Sequence, residues 1–478
     1  MLTLGHLLDA LTGLPADATP AAAHPIAEAV IDSREATPDA LFVALKGEHT
    51  DGHEHVGDAF QRGAAFALVE RAPARDVPVI DLTQPVDASA LAEALKPPLC
   101  LRVGATLAAL QRFAAYWRAR FTPRVIGVTG SVGKTSSKEL IAAVLEQRYQ
   151  TLKSAGNYNN EIGLPLTLLK LNDTHERVVL EMGMYDVGEI AELCAIARPH
   201  VGVVTLIGPV HLERAGSMAH IIDAKAELVE ALPGAAEGGV AILNADDANV
   251  MSMRDRTAAR VVTYGLSPEA DVRATDVVGL GLEGIRFRLH YEGETFSVKV
   301  PLMGRHSAHT ALRAAAVGLV EDMTWDGILA GLQFSAVQLR LVAIPGPGGS
   351  VLLDDTYNAS PDSTIAALNL LAELEGRRVA VLGDMLELGS YEESGHRMVG
   401  ARAREVADLL VTVGPRARTI AASAIEAGMP ESAVHGFETH LEAIDFLMRE
   451  VGAGDYVLVK GSRAMYMDKI VEKMSQPT

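Results

Sequence analysis

The stretch Val125-Ile-Gly-Val-Thr-Gly-Ser-Val-Gly-Lys-Thr-Ser-Ser137 leaves a folding chain few choices. Residues 125–128 form a short, β-branched run that reads as a buried strand. Gly130, Ser131, Val132 and Gly133 then make a glycine-punctuated turn, and a helix begins with Lys134, Thr135 and Ser136. Glycines allow successive backbone N–H groups to curl round an anion. The helix N-terminus adds partial positive charge, Lys134 adds a full one, and Thr135 offers a hydroxyl to Mg²⁺. The spacing departs from the general Walker A pattern, whose first glycine would fall on Val128; here the glycines are Gly127, Gly130 and Gly133. A Gly-x-x-Gly-Lys-Thr string also arises by chance or as an ordinary strand–turn–helix. The strand before it and the helix after it favour a nucleotide-phosphate cradle.

A chain of 478 residues exceeds one hydrophobic core, so several domains are expected. With 49% apolar residues but only 5% aromatics, the cores must be Ala, Val, Leu and Ile, which suits α/β layers. A formal net charge of −19 argues against nucleic acid as a partner, because there is no basic field to displace phosphate counterions. Two cysteines, Cys100 and Cys194, fit a reducing compartment and permit neither a disulfide framework nor a metal site built on cysteine pairs. The first Lys or Arg is Arg34 and no apolar run is long enough for a bilayer, so the expectation is a cytoplasmic protein with no membrane insertion.

Punctuation along the chain predicts three domains: a small α/β domain over 1–104, a central phosphate-loop parallel sheet over 105–334, and a Rossmann-like domain over 335–478. In the first, leucine spacing predicts a helix over 4–14, strands are expected at 40–45 and 63–70, and 72–98 reads as irregular. In the second, a helix over 107–120 leads into the phosphate loop, and the runs 178–181, 201–207 and 240–243 end in polar residues. Residues 285–300 alternate and predict a small antiparallel addition before a helix near His306. In the third, strands are expected at 351–354, 378–382, 409–413 and 456–459, with Ser360 capping a helix whose first residue is Pro361.

Parallel sheets gather functional side chains at the carboxyl ends of their strands. Glu181 closes an apolar strand and reads as a solvated carboxylate or, beside a phosphate loop, as a Mg²⁺ ligand. His211, shortly after the next run, reads as a structural histidine or as a metal or phosphate ligand. Lys225 lies on a helix between Asp223 and Glu227, where a surface ion pair is the plain alternative. Asn157, Asn159 and Asn160 suit phosphate or metal-bound water, and equally suit turns. Asp354-Asp-Thr-Tyr-Asn358 places acids and amides at a strand end, and Lys460-Gly-Ser-Arg463 concentrates cations that fit a carboxylate, a phosphate or plain solvent.

In this order the segments resemble the Mur ligase family, ATP-dependent amide-forming enzymes of peptidoglycan precursor synthesis. The resemblance is carried by Thr129-Gly-Ser-Val-Gly-Lys-Thr135, Glu181-Met-Gly183, His211 and Ala224-Lys-Ala-Glu227. Gly156-Asn-Tyr-Asn-Asn-Glu-Ile-Gly163, Asp354-Asp-Thr-Tyr-Asn358, Gly383-Asp-Met-Leu-Glu-Leu-Gly389 with His396, and Val459-Lys-Gly-Ser-Arg463 resemble the branch that adds D-alanyl-D-alanine to UDP-N-acetylmuramoyl-tripeptide.

The resemblance implies ATP and Mg²⁺ as cofactors, those two substrates as partners, and a monomer. It implies that Lys134 and the amides of Gly130 to Ser136 hold the ATP phosphates, with Arg340 and Asp355 reaching the nucleotide from the third domain. Thr135 and Glu181 would hold one metal and His211 a second, joined by Lys225 once CO₂ has converted its amine to a carbamate. Ser33, Arg34, Lys46 and Gly47 would contact the uridine-diphosphate sugar. Asn157, Asn159, Asn160, Tyr357, Asn358, Lys460 and Arg463 are the further candidates for substrate contact. Relatives usually carry Asn where this chain has Thr310, and that Asn reads adenine; Arg340 also follows Leu339 rather than the usual glycine. A folylpolyglutamate synthase would share the ATP site but lack the strings at 354–358 and 383–389. A GTPase switch would want Asn-Lys-x-Asp, which does not occur.

Overall fold

The structure, a computed structural model, describes residues 1–18, 20–47, 50–73, 77–85, 95–209, 212–334 and 341–475. His211 and Arg340 lie outside the described residues. The architecture is α/β throughout, and the chain divides into two compact units. One comprises Met1–Gly127, Tyr149–Gly183 and Glu189–His200, the other Val128–Arg148, Met184–Gly188 and Val201–Thr478.

The first unit holds a five-stranded sheet in the order β1-β2-β3-β5-β4. Its strands are β1 (Ala29–Val30), β2 (Leu41–Val43), β3 (Phe66–Val69), β4 (Val79–Asp81) and β5 (Leu99–Arg102), all paired in parallel. The middle strands β2 and β3 are buried at every residue, the unbroken apolar run that a sheet covered on both faces requires. The expected irregular stretch over 72–98 is corrected in part, because β4 lies within it. It is three residues long, at the sheet's edge and half-exposed, so it leaves no periodic trace. The N-terminal helix spans Leu4–Thr12, buries Leu4, Leu7 and Leu8, and stops at left-handed Gly13. The strand β6 (Arg124–Thr129) crosses the division after Gly127. In this unit β7 (Thr151–Lys153) and β8 (Arg177–Glu181) pair in parallel.

In the second unit β9 (Val201–Val204), β10 (Val240–Asn244), β11 (Arg260–Gly265) and β12 (Val272–Gly279) run parallel. The hairpin β13 (Ile285–Tyr291) and β14 (Glu294–Val300) extends them antiparallel, as the alternation over 285–300 predicts. A six-stranded sheet follows in the order β15-β16-β20-β17-β18-β19. It contains β15 (Val342–Pro345), β16 (Val351–Asp355), β17 (Arg377–Gly383), β18 (Leu409–Val413), β19 (Val434–Phe437) and β20 (Asp455–Lys460). Only β15 is antiparallel to its neighbour. Helices cover both faces: one core joins Leu368, Val399 and Ile420, the other Leu447, Ile470 and Met474, which is the Rossmann-like arrangement. Ser360 caps the helix Pro361–Ala372 through a reciprocal bond with Ser363, and Pro361 takes its first position.

Candidate functional site

The phosphate loop belongs to the second unit from Val128 onward. Gly130 adopts φ +142°, and a Cβ there would fall 1.9 Å from Thr205 Oγ1, so no other residue fits. Gly133 closes the loop in the left-handed conformation and opens the helix Lys134–Leu145. The backbone is pinned from both sides. Ser131 N donates to Leu206 O at 2.6 Å, and Ser131 Oγ donates to Gly208 O at 2.9 Å. Thr205 Oγ1 donates to Val132 O at 2.7 Å, and Ser137 Oγ to Gly133 O at 2.6 Å. Lys134 folds back, its Nζ donating to Gly130 O at 2.8 Å. Thr135 and Ser136 follow in the first turn. A glycine loop held open against a neighbouring strand, closed by a helix N-terminus and a lysine, fits a nucleotide's phosphates.

Lys225, on the helix Met218–Glu230, is 2% exposed. The surface-pair reading is therefore corrected. Asp223 binds Arg256 Nη1 at 2.6 Å, and Glu227 Oε1 accepts from Gly188 N at 2.5 Å. Among the described residues the Lys225 ammonium has no hydrogen-bond or ion-pair partner. Burial, and then the positive charge of Lys134, hold its pKa well below the usual lysine range. The neutral amine this favours is the form that adds to CO₂. Thr310 is buried, and its hydroxyl accepts from Arg313 Nη2 at 2.8 Å.

In the six-stranded sheet, β16 and β20 bring Asp355 and Lys460 into register. Lys460 is 3% exposed; its Nζ donates to Asp355 Oδ2 at 2.6 Å and to Asn358 O at 2.9 Å, so it is no solvated loop residue. The Arg463 guanidinium sits 5.4 Å from the centre of the Tyr357 ring. His396 is buried and accepts from Met385 N through Nε2 at 3.1 Å, fixing the Gly383–Gly389 loop.

In the first unit, Glu181 ends β8 fully buried rather than solvated. Its Oε1 accepts from Asn159 Nδ2 at 2.9 Å, and Asn159 O accepts from Gly183 N at 2.7 Å. Asn160 Oδ1 instead accepts from Gly163 N at 2.9 Å, opening the short helix Gly163–Leu168, while Asn157 O accepts from Asn159 N at 2.7 Å. Ser33 and Arg34 form a turn after β1; Lys46 and Gly47 follow β2. Since β1 and β2 are parallel neighbours, both loops leave the same edge. Arg34 is exposed and holds Asp32 far below the usual carboxylate range, at about 2.

Two further residues are not marked as site residues by the local sequence motifs. One is Tyr158, whose phenol is pushed up by burial and then by the charges of Glu35 and Asp32. Arg313 is the other. One charged residue inside the otherwise apolar 311–317 was the available signal for it. Among the described residues no three His, Cys, Asp or Glu side chains cluster to hold a metal.

Models for the Mur ligase family catalytic domain, the Mur ligase middle domain and the Mur ligase glutamate ligase domain match residues 25–118, 128–318 and 340–463. The UDP-N-acetylmuramoyl-tripeptide–D-alanyl-D-alanine ligase of Escherichia coli K12 is 36% identical, covering 99% of this chain and 98% of that protein. A crystal structure of MurF from Acinetobacter baumannii superposes with TM-score 0.82 at 29% identity, over 100% of this chain and 99% of that one. MurF ligase from Thermotoga maritima in complex with ADP gives TM-score 0.75 at 26% identity, over 93% and 96%. The chain belongs to the Mur ligase family.

Proposed function

We propose that this chain is an ATP-dependent amide ligase that joins D-alanyl-D-alanine to UDP-N-acetylmuramoyl-tripeptide, giving the pentapeptide precursor of peptidoglycan with ADP and phosphate. The observation that carries the proposal is the end-to-end match to a ligase of that name, over 99% of this chain. The ADP held by the Thermotoga maritima relative supports ATP as the nucleotide.

In the proposed reaction, Lys134 and the loop amides hold the ATP phosphates and the free carboxylate of the tripeptide attacks the γ-phosphorus. The amine of D-alanyl-D-alanine then adds to the acyl carbon, and phosphate leaves with one carboxylate oxygen. Bound Mg²⁺ would neutralise the phosphates' charge, with Thr135 and Glu181 as the proposed ligands of one ion and His211 and carbamoylated Lys225 of a second. The buried amine of Lys225, without a partner among the described residues, supports the carbamate: as an ammonium it is costly there, and as a carbamate it becomes an anion. Ser33, Arg34, Lys46 and Gly47 are proposed to take the UDP-sugar, and Asn157, Asn159 and Asn160 to flank the transferring phosphate. Tyr357, Asn358, Lys460 and Arg463 are proposed for the incoming dipeptide, with Arg340 and Asp355 on the nucleotide side. The domain limits at 104 and 334, a monomeric state and a cytoplasmic location complete the proposal.

The test is phosphate release with ATP, Mg²⁺ and UDP-N-acetylmuramoyl-tripeptide, with and without D-alanyl-D-alanine. Release that needs both, with a pentapeptide product by mass, is expected. Release indifferent to either would sink the ligase reading.

A further inference from the structure

Arg313 has no task in the reaction just described, yet its setting demands one. It lies on the helix Ser307–Val320 and is 4% exposed. Its Nη2 donates to Thr310 Oγ1 at 2.8 Å and its Nη1 to Tyr264 OH at 3.2 Å, while Nε is buried without a partner among the described residues. Among the described residues no carboxylate pairs with it. Hydroxyl partners satisfy hydrogens but leave the charge uncompensated, and a buried charge is costly unless it is balanced.

The same side chain is tied to the phosphate loop on two sides. Nη2 stands 3.2 Å from where a Cβ on Gly133 would be, so the guanidinium tip rests against the glycine that closes the loop. Through Tyr264 it reaches Thr205. The Tyr264 hydroxyl lies 2.8 Å from Thr205 O, and Thr205 Oγ1 holds Val132 O at 2.7 Å. An anion on that loop is the counter-charge this arrangement lacks.

We infer that Arg313 is a nucleotide-positioning residue, its buried charge balanced by the polyphosphate held on the Gly130–Thr135 loop and its guanidinium bracing Gly133. The inference rests on the nucleotide reading of that loop but not on the identity of the ligated substrates. Thr310 then serves to orient Arg313.

The experiment measures the Kd of the Mg²⁺ complexes of ATP and ITP for the full chain at fixed ionic strength. The variants are Arg313→Gln, Arg313→Lys and Tyr264→Phe. Arg313→Gln should weaken both nucleotides equally, by about tenfold or more, the size of one charge-assisted contact. Arg313→Lys should retain most of the affinity, and Tyr264→Phe should lower Tm with little change in Kd. A folded Arg313→Gln that binds both nucleotides like wild type overturns the inference alone. So does one that loses ATP but keeps ITP, since that assigns the contact to the base. A wild-type chain that binds neither nucleotide overturns the nucleotide reading with it. If Arg313→Gln does not fold, Arg313→Lys decides: retained affinity supports the charge balance, and lost affinity refutes it.

Discussion

Lys460 and Lys225 are both long cations sealed inside the second unit, 3% and 2% exposed, yet their surroundings are opposite. Lys460 meets a carboxylate, Asp355, at 2.6 Å, and Asn358 O takes a second ammonium hydrogen. Among the described residues Lys225 meets no carboxylate, and the cation it feels is Lys134. Arg313 stands with Lys225 in this respect. A buried ion pair is self-sufficient: its Coulomb gain offsets most of its desolvation, and its main effect is to fix the two strands that carry it. A buried cation without an anion destabilises the fold, and is understandable where a ligand or a modification supplies the missing charge. Of these three buried cations, Lys460 therefore already meets an anion within the fold, while Lys225 and Arg313 await one near the phosphate loop.

Removing the unpaired cation should separate activity from stability most widely. Lys225→Met should abolish ligation while raising stability without nucleotide by on the order of 1 kcal/mol, because a costly buried charge is replaced by an apolar chain. The sign with pH follows from the depressed lysine value. Below that value both folded and unfolded chains are protonated and the cost is full; it fades as pH rises toward the ordinary lysine range. The stability gap between variant and wild type, followed by thermal unfolding, should shrink with rising pH. A gap that grows would contradict the assignment.

Breaking the paired cation should do the reverse. Lys460→Met alone removes the ammonium that Asp355 faces and should cost about 3 kcal/mol, whereas Lys460→Met with Asp355→Leu should recover most of it. A double variant no better than the single one would mean that the pair is not the local anchor.

The smallest effect concerns an anion. Asp384 is buried and accepts from Ala417 N at 2.7 Å, and burial pushes its carboxyl up. Asp384→Asn keeps an acceptor and loses the charge, so it should stabilise the fold near neutral pH by roughly 1 kcal/mol or less. The gain should vanish as pH falls through the raised folded value toward the ordinary carboxylate range, where both states are protonated.

Local chemistry was what the sequence made readable. The phosphate loop, the Ser360–Pro361 helix start and the leucine face of Leu4–Thr12 each depend on residues within a few positions of one another, and each appears where expected. Edge strands were not readable. β4, β15 and β19 are three or four residues long and mostly half-exposed, so neither an apolar run nor alternation marks them. The burial of Lys225 was partly available. Asp223 and Glu227 lie two positions away, on other faces of the helix, so neither was placed to pair with it. Lys460 with Asp355, and Asn159 with Glu181, are separated by 105 and 22 residues, and only the tertiary fold brings such partners together.

In the proposed reaction a carboxylate is activated by phosphoryl transfer before the amide forms. The direct measurement uses tripeptide substrate with heavy oxygen in its free carboxylate, ATP and D-alanyl-D-alanine, and weighs the phosphate released. Phosphate carrying one labelled oxygen for each pentapeptide made is the expected result. Unlabelled phosphate, formed at the same rate as product, would mean that ATP hydrolysis and ligation do not share an acyl phosphate.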